Sequence, residues 1–283
     1  MKSLTLLAPA KINLALDIVG TREDGYHLLE TVFQSVSIYD KITLTLTEES
    51  GIALTCNEPE IPCNEKNLVW KAAAAFLKET GLTCGVRIHL EKHIPSQAGM
   101  GGGSSDAASV LMGLNELTGK PLHPEDLCRL GVMLGADVPF FVYGGTAYAE
   151  GIGEKLTPLP AIPKLTLVVA KGSGGISTPE AYRAIDALEN PEHPHTQELK
   201  AAILRGALSE ELWQYCGNLF EAVTKLQDVA DIRSVMYDMG AAFACMSGSG
   251  AAVFGVFADE NAALRCQQTL AERYPFSEIC YTV

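Results

Sequence analysis

Basic residues are in short supply: 21 lysines and arginines stand against 34 aspartates and glutamates, a formal charge of -13 at pH 7. Binding a phosphate backbone needs a basic face to release counterions, so a chain this acidic argues against a nucleic-acid partner. A single anionic ligand is not excluded, since helix N-termini and one or two lysines can hold it against an unfavourable global field. The eight cysteines contain no C-x-x-C pair and have no histidine cluster beside them. They read as small buried hydrophobes of a reducing compartment, with no metal site among them. No apolar run is long enough to cross a membrane, and in "MKSLTLLAPAKINLALDIVG" Pro9 and Lys11 break the run before it reaches signal-peptide length. The expectation is a cytoplasmic protein without a membrane partner. Internal repeats and low-complexity tracts are also missing.

What is present is a globular composition, 47% hydrophobic and 19% charged, in a chain of 283 residues that suggests two domains. "KINLALDIV" alternates Ile12, Leu14, Leu16 and Ile18 with Lys11, Asn13 and Asp17, the period of a half-buried strand with Lys11 and Asn13 on one face. "KITLTLT" (41–47) and "GVRIHLEKHIP" (85–95) read as further strands, the latter ended by Pro95. Helices are expected in "NLVWKAAAAFLKETG", stopped by Gly81, in "SSDAASVLMGLNELTG", and in "PEDLCRLGVMLG" from Pro124 to Gly135. The three prolines of "LTPLPAIPK" (156–164) mark a boundary, giving domains 1–160 and 161–283. Beyond it the order is strand, helices, two strands, helix, strand, the split βαβ pattern of a ferredoxin-like domain. The fold class is therefore α+β: an N-terminal mixed sheet with helices and a C-terminal ferredoxin-like domain.

The most informative stretch is "IPSQAGMGGGSSDAA", residues 94–108, between an expected strand and an expected helix. Glycines there let the backbone approach a ligand and reach φ > 0, so that successive N–H groups converge on an anion. Ser104 and Ser105 stand where the helix starts and add hydroxyl donors. Phosphate is the natural guest, and a surface loop with a capping serine is the plain alternative. Neither G-x-x-x-x-G-K-[ST] nor G-x-G-x-x-G is present, so neither a P-loop nucleoside triphosphatase nor a Rossmann dehydrogenase is supported.

The loop resembles the P-x-x-x-G-[LM]-G-[SG]-S-[SA] phosphate loop of the galactokinase, homoserine kinase, mevalonate kinase and phosphomevalonate kinase superfamily. "APAKINLALDIVG" and "MSGSGAAVFG" (246–255) match the same superfamily in the same order. "R-x-D-G-Y-H-x-L" and "LGADVPFFV" further resemble its branch that phosphorylates a cytidyl diphosphate sugar-alcohol in the non-mevalonate route to isoprenoids.

The resemblance implies an enzyme using ATP and Mg²⁺, with its active site in the cleft between the two domains and small-molecule substrates only. It implies that Asp137 is the general base, with Lys11 beside it orienting the carboxylate and stabilising charge on the transferring group. Pro95, Ser96, Gln97, Ala98, Gly99, Met100, Gly101, Gly102, Gly103, Ser104 and Ser105 would wrap the ATP phosphates. Tyr26 and His27 would hold the cytosine by stacking and hydrogen bonding, with Tyr182 closing the other face of the ring. Asn13 would line the substrate site. Thr178 would begin the helix bearing Tyr182 and stand in the same site, and Ser247 to Gly250 would turn near the phosphates. No metal-ligating side chain is assigned. Taken singly, Asp137 could equally cap the "VPFFV" segment, Lys11 could be a solvated strand residue, the two tyrosines could be core-edge residues, and His27 could sit on the surface beside the Asp24–Gly25 turn.

Overall fold

The computed structural model describes residues 2–283. The strands are β1 (Ser3–Thr21), β2 (His27–Thr47), β3 (Ile52–Cys56), β4 (Gly85–Glu91), β5 (Thr146–Glu150), β6 (Lys155–Pro158), β7 (Thr166–Lys171), β8 (Gly217–Asn218), β9 (Phe243–Met246), β10 (Val253–Phe257) and β11 (Phe276–Tyr281). The helices are α1 (Leu68–Thr80), α2 (Gly102–Leu117), α3 (Pro124–Leu134), α4 (Val138–Tyr143), α5 (Thr178–Ile185), α6 (Thr196–Leu204), α7 (Ser209–Leu212), α8 (Gln227–Asp238) and α9 (Glu260–Ala271). Two compact units result, neither continuous in sequence. The first holds the chain up to Ala10, Ile38–Ile94 and Gly101–Gly144; the second holds Lys11–Ser37, Pro95–Met100 and Gly145–Val283. The proline-rich stretch at 156–164 lies inside the second unit, and its first residues belong to β6.

In the first unit β4 pairs antiparallel with the outer half of β2, from Lys41 opposite Glu91 to Thr47 opposite Gly85, and parallel with β3. One side chain per two residues of β4 is buried (Val86, Ile88, Leu90), as its alternation predicts. Glu91, not Pro95, ends the strand. Helix α1 starts where Asn67 Oδ1 accepts the Val69 N–H at 2.9 Å and stops at Gly81 in the left-handed region, φ 68°. A Cβ on Gly113 of α2 would lie 2.5 Å from Leu44 and 2.7 Å from Leu6, so α2 presses on the sheet at a residue without a side chain.

In the second unit β11, β7, β10 and β9 form a wholly antiparallel sheet in that order, with α8 and α9 packed on it. Counted along the chain from β7 this is order 4-1-3-2 with a helix in each crossover, the expected split βαβ arrangement. The inner half of β1 pairs parallel with β8 (Ala15 opposite Gly217), and β2 pairs antiparallel with β5, which forms a hairpin with β6. Here one reading needs correction. The "KINLALDIV" segment is not half-buried: Lys11 is 3% exposed, Asn13 1% and Asp17 6%. Alternation of residue type reports two different faces, but it does not say that the polar face meets water. Lys11 is accordingly no solvated strand residue.

Candidate active site

Within the second unit the segment Pro95–Met100 is held by its carbonyls. The Gln97 carbonyl accepts from Ala251 N (3.2 Å), Ala98 from Ala252 N (3.1 Å), Gly99 from the Ser247 hydroxyl (2.9 Å) and Met100 from Lys11 N (3.0 Å). Four successive peptide planes are thus fixed by β1 on one side and the 247–252 turn on the other. Backbone φ is positive at Gln97 (50°), Gly99 (71°) and Gly101 (69°), every second residue, the alternation that turns neighbouring N–H groups to a common side. Among the described residues, the N–H groups of Ala98, Gly99 and Met100 make no backbone hydrogen bond. Gly99 is required twice over. Besides its φ, a Cβ there would lie 1.9 Å from the Ser247 carbonyl oxygen.

Lys11 and Asn13 leave the same strand toward the same buried place. Lys11 Nζ donates to Asn13 Oδ1 at 2.6 Å and stands 5.0 Å from the centre of the Phe33 ring. Asn13 Nδ2 donates to Thr31 Oγ1 (2.7 Å), which passes its own hydrogen to the Ala15 carbonyl (2.6 Å). The chain of bonds sets the Asn13 amide so that its oxygen faces the ammonium, and a buried lysine needs such partners. Ser247 lies 3.5 Å from the same Asn13 oxygen. Asn218, which sequence reasoning missed, fixes the turn: its amide donates to the carbonyls of Met246 (2.6 Å) and Gly248 (2.8 Å). No local pattern links an asparagine in a two-residue strand to a turn about thirty positions ahead.

Two of the three aromatic residues assigned to the cytosine lie together. His27 stacks on Tyr182 with ring centres 4.5 Å apart and planes 20° from parallel, and its Nε2 donates to Asp186 Oδ1 at 2.7 Å. Tyr182 in turn stands edge-on to Phe220 at 5.1 Å. Tyr26 is 59% exposed at the Arg22–Tyr26 turn, where Gly25 takes φ 87° and Arg22 covers the tyrosine ring at 5.7 Å. The structure therefore joins His27, rather than Tyr26, to Tyr182. The helix bearing Tyr182 has Ser177, not Thr178, at its N-cap. Thr178 occupies the first turn, with its hydroxyl 2.8 Å from Ser249 Oγ.

In the first unit α2 begins at Gly102, two residues before the serines, with Gly101 as an N-cap that offers no side chain. The N–H groups of the first turn have no capping side chain, the condition under which a helix end accepts an anion. Ser104 and Ser105 fall in the first turn and its continuation, Ser105 with a buried hydroxyl that has no hydrogen-bond partner. A Cβ on Gly102 would meet Lys92 Nζ at 3.1 Å, which puts an unpredicted ammonium beside this helix end. Lys92 is salt-bridged to Asp40 and, at 2.8 Å, to Asp106. Asp40 also accepts the N–H groups of His93 (2.6 Å) and Ile94 (2.8 Å). Two buried carboxylates share one cation, so one is left short of charge. Burial pushes the Asp106 carboxyl up to about 7, with Lys92 pulling against it and Asp40 adding to it.

Asp137 holds the N-cap position of α4, but its side chain makes no capping bond to that helix. That removes capping as the reason for an acid there. The half-buried carboxylate lies two residues beyond Gly135, where a Cβ would come 3.7 Å from Ser104 Oγ, so the "GAD" turn adjoins the first turn of α2. Among the described residues no three His, Cys, Asp or Glu side chains cluster as a metal cage, and no helix is long and apolar enough to cross a membrane.

Comparison with known proteins places this geometry. Family models of the GHMP kinases match at residues 67–145 (N terminal domain) and 197–275 (C terminal). The class is that of the GHMP kinases. The chain is 41% identical over 273 residues to the 4-diphosphocytidyl-2-C-methyl-D-erythritol kinase of Clostridium tetani, covering 96% of this chain and 97% of that one. It is 43% identical over 274 residues to the protein of the same name from Geobacter metallireducens, covering 95% of each. A crystal structure of 4-(cytidine 5'-diphospho)-2C-methyl-D-erythritol kinase is similar over 99% of both chains, with TM-score 0.84 and 35% identity. The chain belongs to the family of these kinases.

Proposed function

We propose that this protein transfers the γ-phosphoryl group of MgATP to the 2-hydroxyl of 4-(cytidine 5'-diphospho)-2-C-methyl-D-erythritol, a step of the non-mevalonate route to isoprenoid precursors. The observation that carries the reading is the likeness, over nearly the whole of both chains, to kinases named for that acceptor. In the reaction Asp137 takes the hydroxyl proton, the freed oxygen forms the new bond to the γ-phosphorus, and the bond from that phosphorus to the β-bridging oxygen breaks, leaving ADP with the electron pair. Lys11 offsets charge on the transferring group, and residues 95–105 hold the phosphates. His27 and Tyr182 receive the cytosine, with Asn13, Tyr26 and Thr178 lining the acceptor site.

Phosphoryl transfer asks mainly for positioning and electrostatic stabilisation. The fixed carbonyls of Gln97 to Met100 support the cradle role, since peptide planes held on one edge present their N–H edges in a set direction. The buried Lys11–Asn13–Thr31 chain supports a poised cation. The test is ADP release from MgATP with a panel of alcohols: the cytidyl acceptor, homoserine and mevalonate. Release is expected with the cytidyl acceptor and its loss in Asp137→Ala. Faster release with either of the other two alcohols would overturn the acceptor assignment.

A further inference from the structure

Strand β7 is buried along Leu167, Val168, Val169 and Ala170, and it ends on a buried lysine, Lys171, opposite Phe276 of β11. An apolar residue would continue the pattern, and a cation is costly there unless it is paired. Burial lowers the pKa of the ammonium from the ordinary lysine value, with the Asp228 carboxylate pulling the other way. Its partners are two backbone carbonyls: Nζ donates to Gly172 at 3.1 Å and to Gly174 at 2.9 Å. Among the described residues, 172–176 make no backbone–backbone hydrogen bond, so this ammonium is what holds the glycine-rich run after β7. Hydrogen bonds from a charged donor are the stronger kind. Gly172 has an acid over it as well, since a Cβ there would lie 1.9 Å from Asp228 Oδ2.

The run so held leans on the Pro95–Met100 segment and on the 247–252 turn. At Gly175 a Cβ would lie 2.2 Å from Gln97 Oε1 and 3.2 Å from Gln97 Cβ, so the Gln97 side chain fills the space that a larger residue at 175 would need. Ile176 Cδ1 stands 2.5 Å from where a Cβ on Gly250 would be, and the Thr178 hydroxyl meets Ser249. Gln97 is the residue of its segment with most need of such support. It is an exposed non-glycine at φ 50°, a conformation that costs an L-residue, and its carbonyl bond to Ala251 is the longest of the four at 3.2 Å.

We propose that Lys171 is a positioning residue for the nucleotide: by holding the Gly172 and Gly174 carbonyls it keeps Gly175 against Gln97, and through Gln97 it sets the N–H groups of Ala98, Gly99 and Met100 toward the phosphates. The inference rests on the proposed role of residues 95–105 in holding ATP. Lys171→Met keeps the length of the side chain and removes the ammonium. In calorimetric titration of the full chain with MgATP, its dissociation constant should be about fivefold that of the parent. Gln97→Gly needs no support at that φ and has no side chain to hold, so adding Lys171→Met to it should change affinity by less than about twofold. The phosphorus NMR signals of bound ATP should also shift in Lys171→Met, which a lysine serving only stability would leave in place. Equal affinity in Lys171→Met, or unmoved phosphate signals, overturns the proposal. A loss that persists undiminished in the Gln97→Gly background overturns the route through Gln97. Gly175→Ala crowds Gln97 from the same run without touching the buried cation. It should weaken MgATP several-fold, again only while the Gln97 side chain is present, and equal affinity counts against the proposal even if Lys171→Met fails to fold. A parent chain that does not bind MgATP removes the reading of residues 95–105, whereas a parent and a Lys171→Met variant that bind alike remove only the role of Lys171.

Discussion

The Ser247 hydroxyl donates to the Gly99 carbonyl at 2.9 Å across 148 positions of sequence, and the two backbones touch so closely that a Cβ on Gly99 would lie 1.9 Å from the Ser247 carbonyl oxygen and one on Gly248 3.0 Å from Gly99. The "SGSG" turn and the segment Gln97–Met100 are held together as one piece. Gly99→Ala combines a left-handed φ, which costs an L-residue about 1–2 kcal/mol, with a clash against backbone that cannot swing aside. ATP affinity should fall by about tenfold or more. Ser247→Ala, which loses one hydrogen bond of about 1 kcal/mol, should cost only a few-fold. Calorimetric titration with ATP distinguishes the two, and a Gly99→Ala protein that binds like the parent would contradict this account of the loop.

Asp137→Asn keeps the shape of the residue and removes the proton acceptor. Turnover should drop by about 10²- to 10⁴-fold, the usual contribution of a general base, while the ATP dissociation constant stays within a few-fold. Steady-state rates within tenfold of the parent would remove the base assignment.

Tyr182→Ala deletes a ring that faces His27. Stacking of a base on an aromatic side chain contributes about 1–3 kcal/mol, so the KM for the cytidyl acceptor should rise by roughly 5- to 150-fold with little change in the KM for ATP. Tyr182→Phe should restore most of it. An unchanged acceptor KM in the alanine variant would place the cytosine elsewhere.

The raised Asp106 carboxyl makes stability depend on pH in a stated direction. Its ordinary value is 3.8 and its folded value about 7, so between these the folded chain holds a proton that the unfolded chain has released. The contribution is fully present below pH ~4 and is lost as pH rises through ~7, at on the order of 1.4 kcal/mol per unit. Asp106→Asn cannot ionise, so its stability relative to the parent should climb from pH 4 to pH 7 and then level off. Urea midpoints at pH 4, 5.5, 7 and 8 give the comparison; a constant difference would show that this carboxyl does not govern it.

Much of this was readable from residue order, for definite reasons. Asn67 and Gly81 bracket α1 because a cap and a left-handed stop are local chemistry. The 4-1-3-2 sheet followed from the order of apolar runs and helical periods, which constrain topology strongly. Burial of Lys11 and Asn13 was not readable, because period two reports faces and not what covers them. The Asp40–Lys92–Asp106 cluster was equally hidden, being assembled from three segments whose charges look solvated one at a time. Asp137 stood out only by its company in "GADVPFF", although the structure removes the helix-capping alternative.

The four fixed carbonyls of Gln97 to Met100 also bear on when the entropy of the loop is lost. Glycine-rich chain is the most expensive kind to order, and a loop left free would charge that cost against each ligand it closed upon. Here the ordering is completed during folding by partners on β1 and the 247–252 turn, so an anion meets a surface that has little freedom left to lose. Amide hydrogen exchange should reveal this as small changes at residues 98–100 when nucleotide is added, smaller than the glycine content alone suggests.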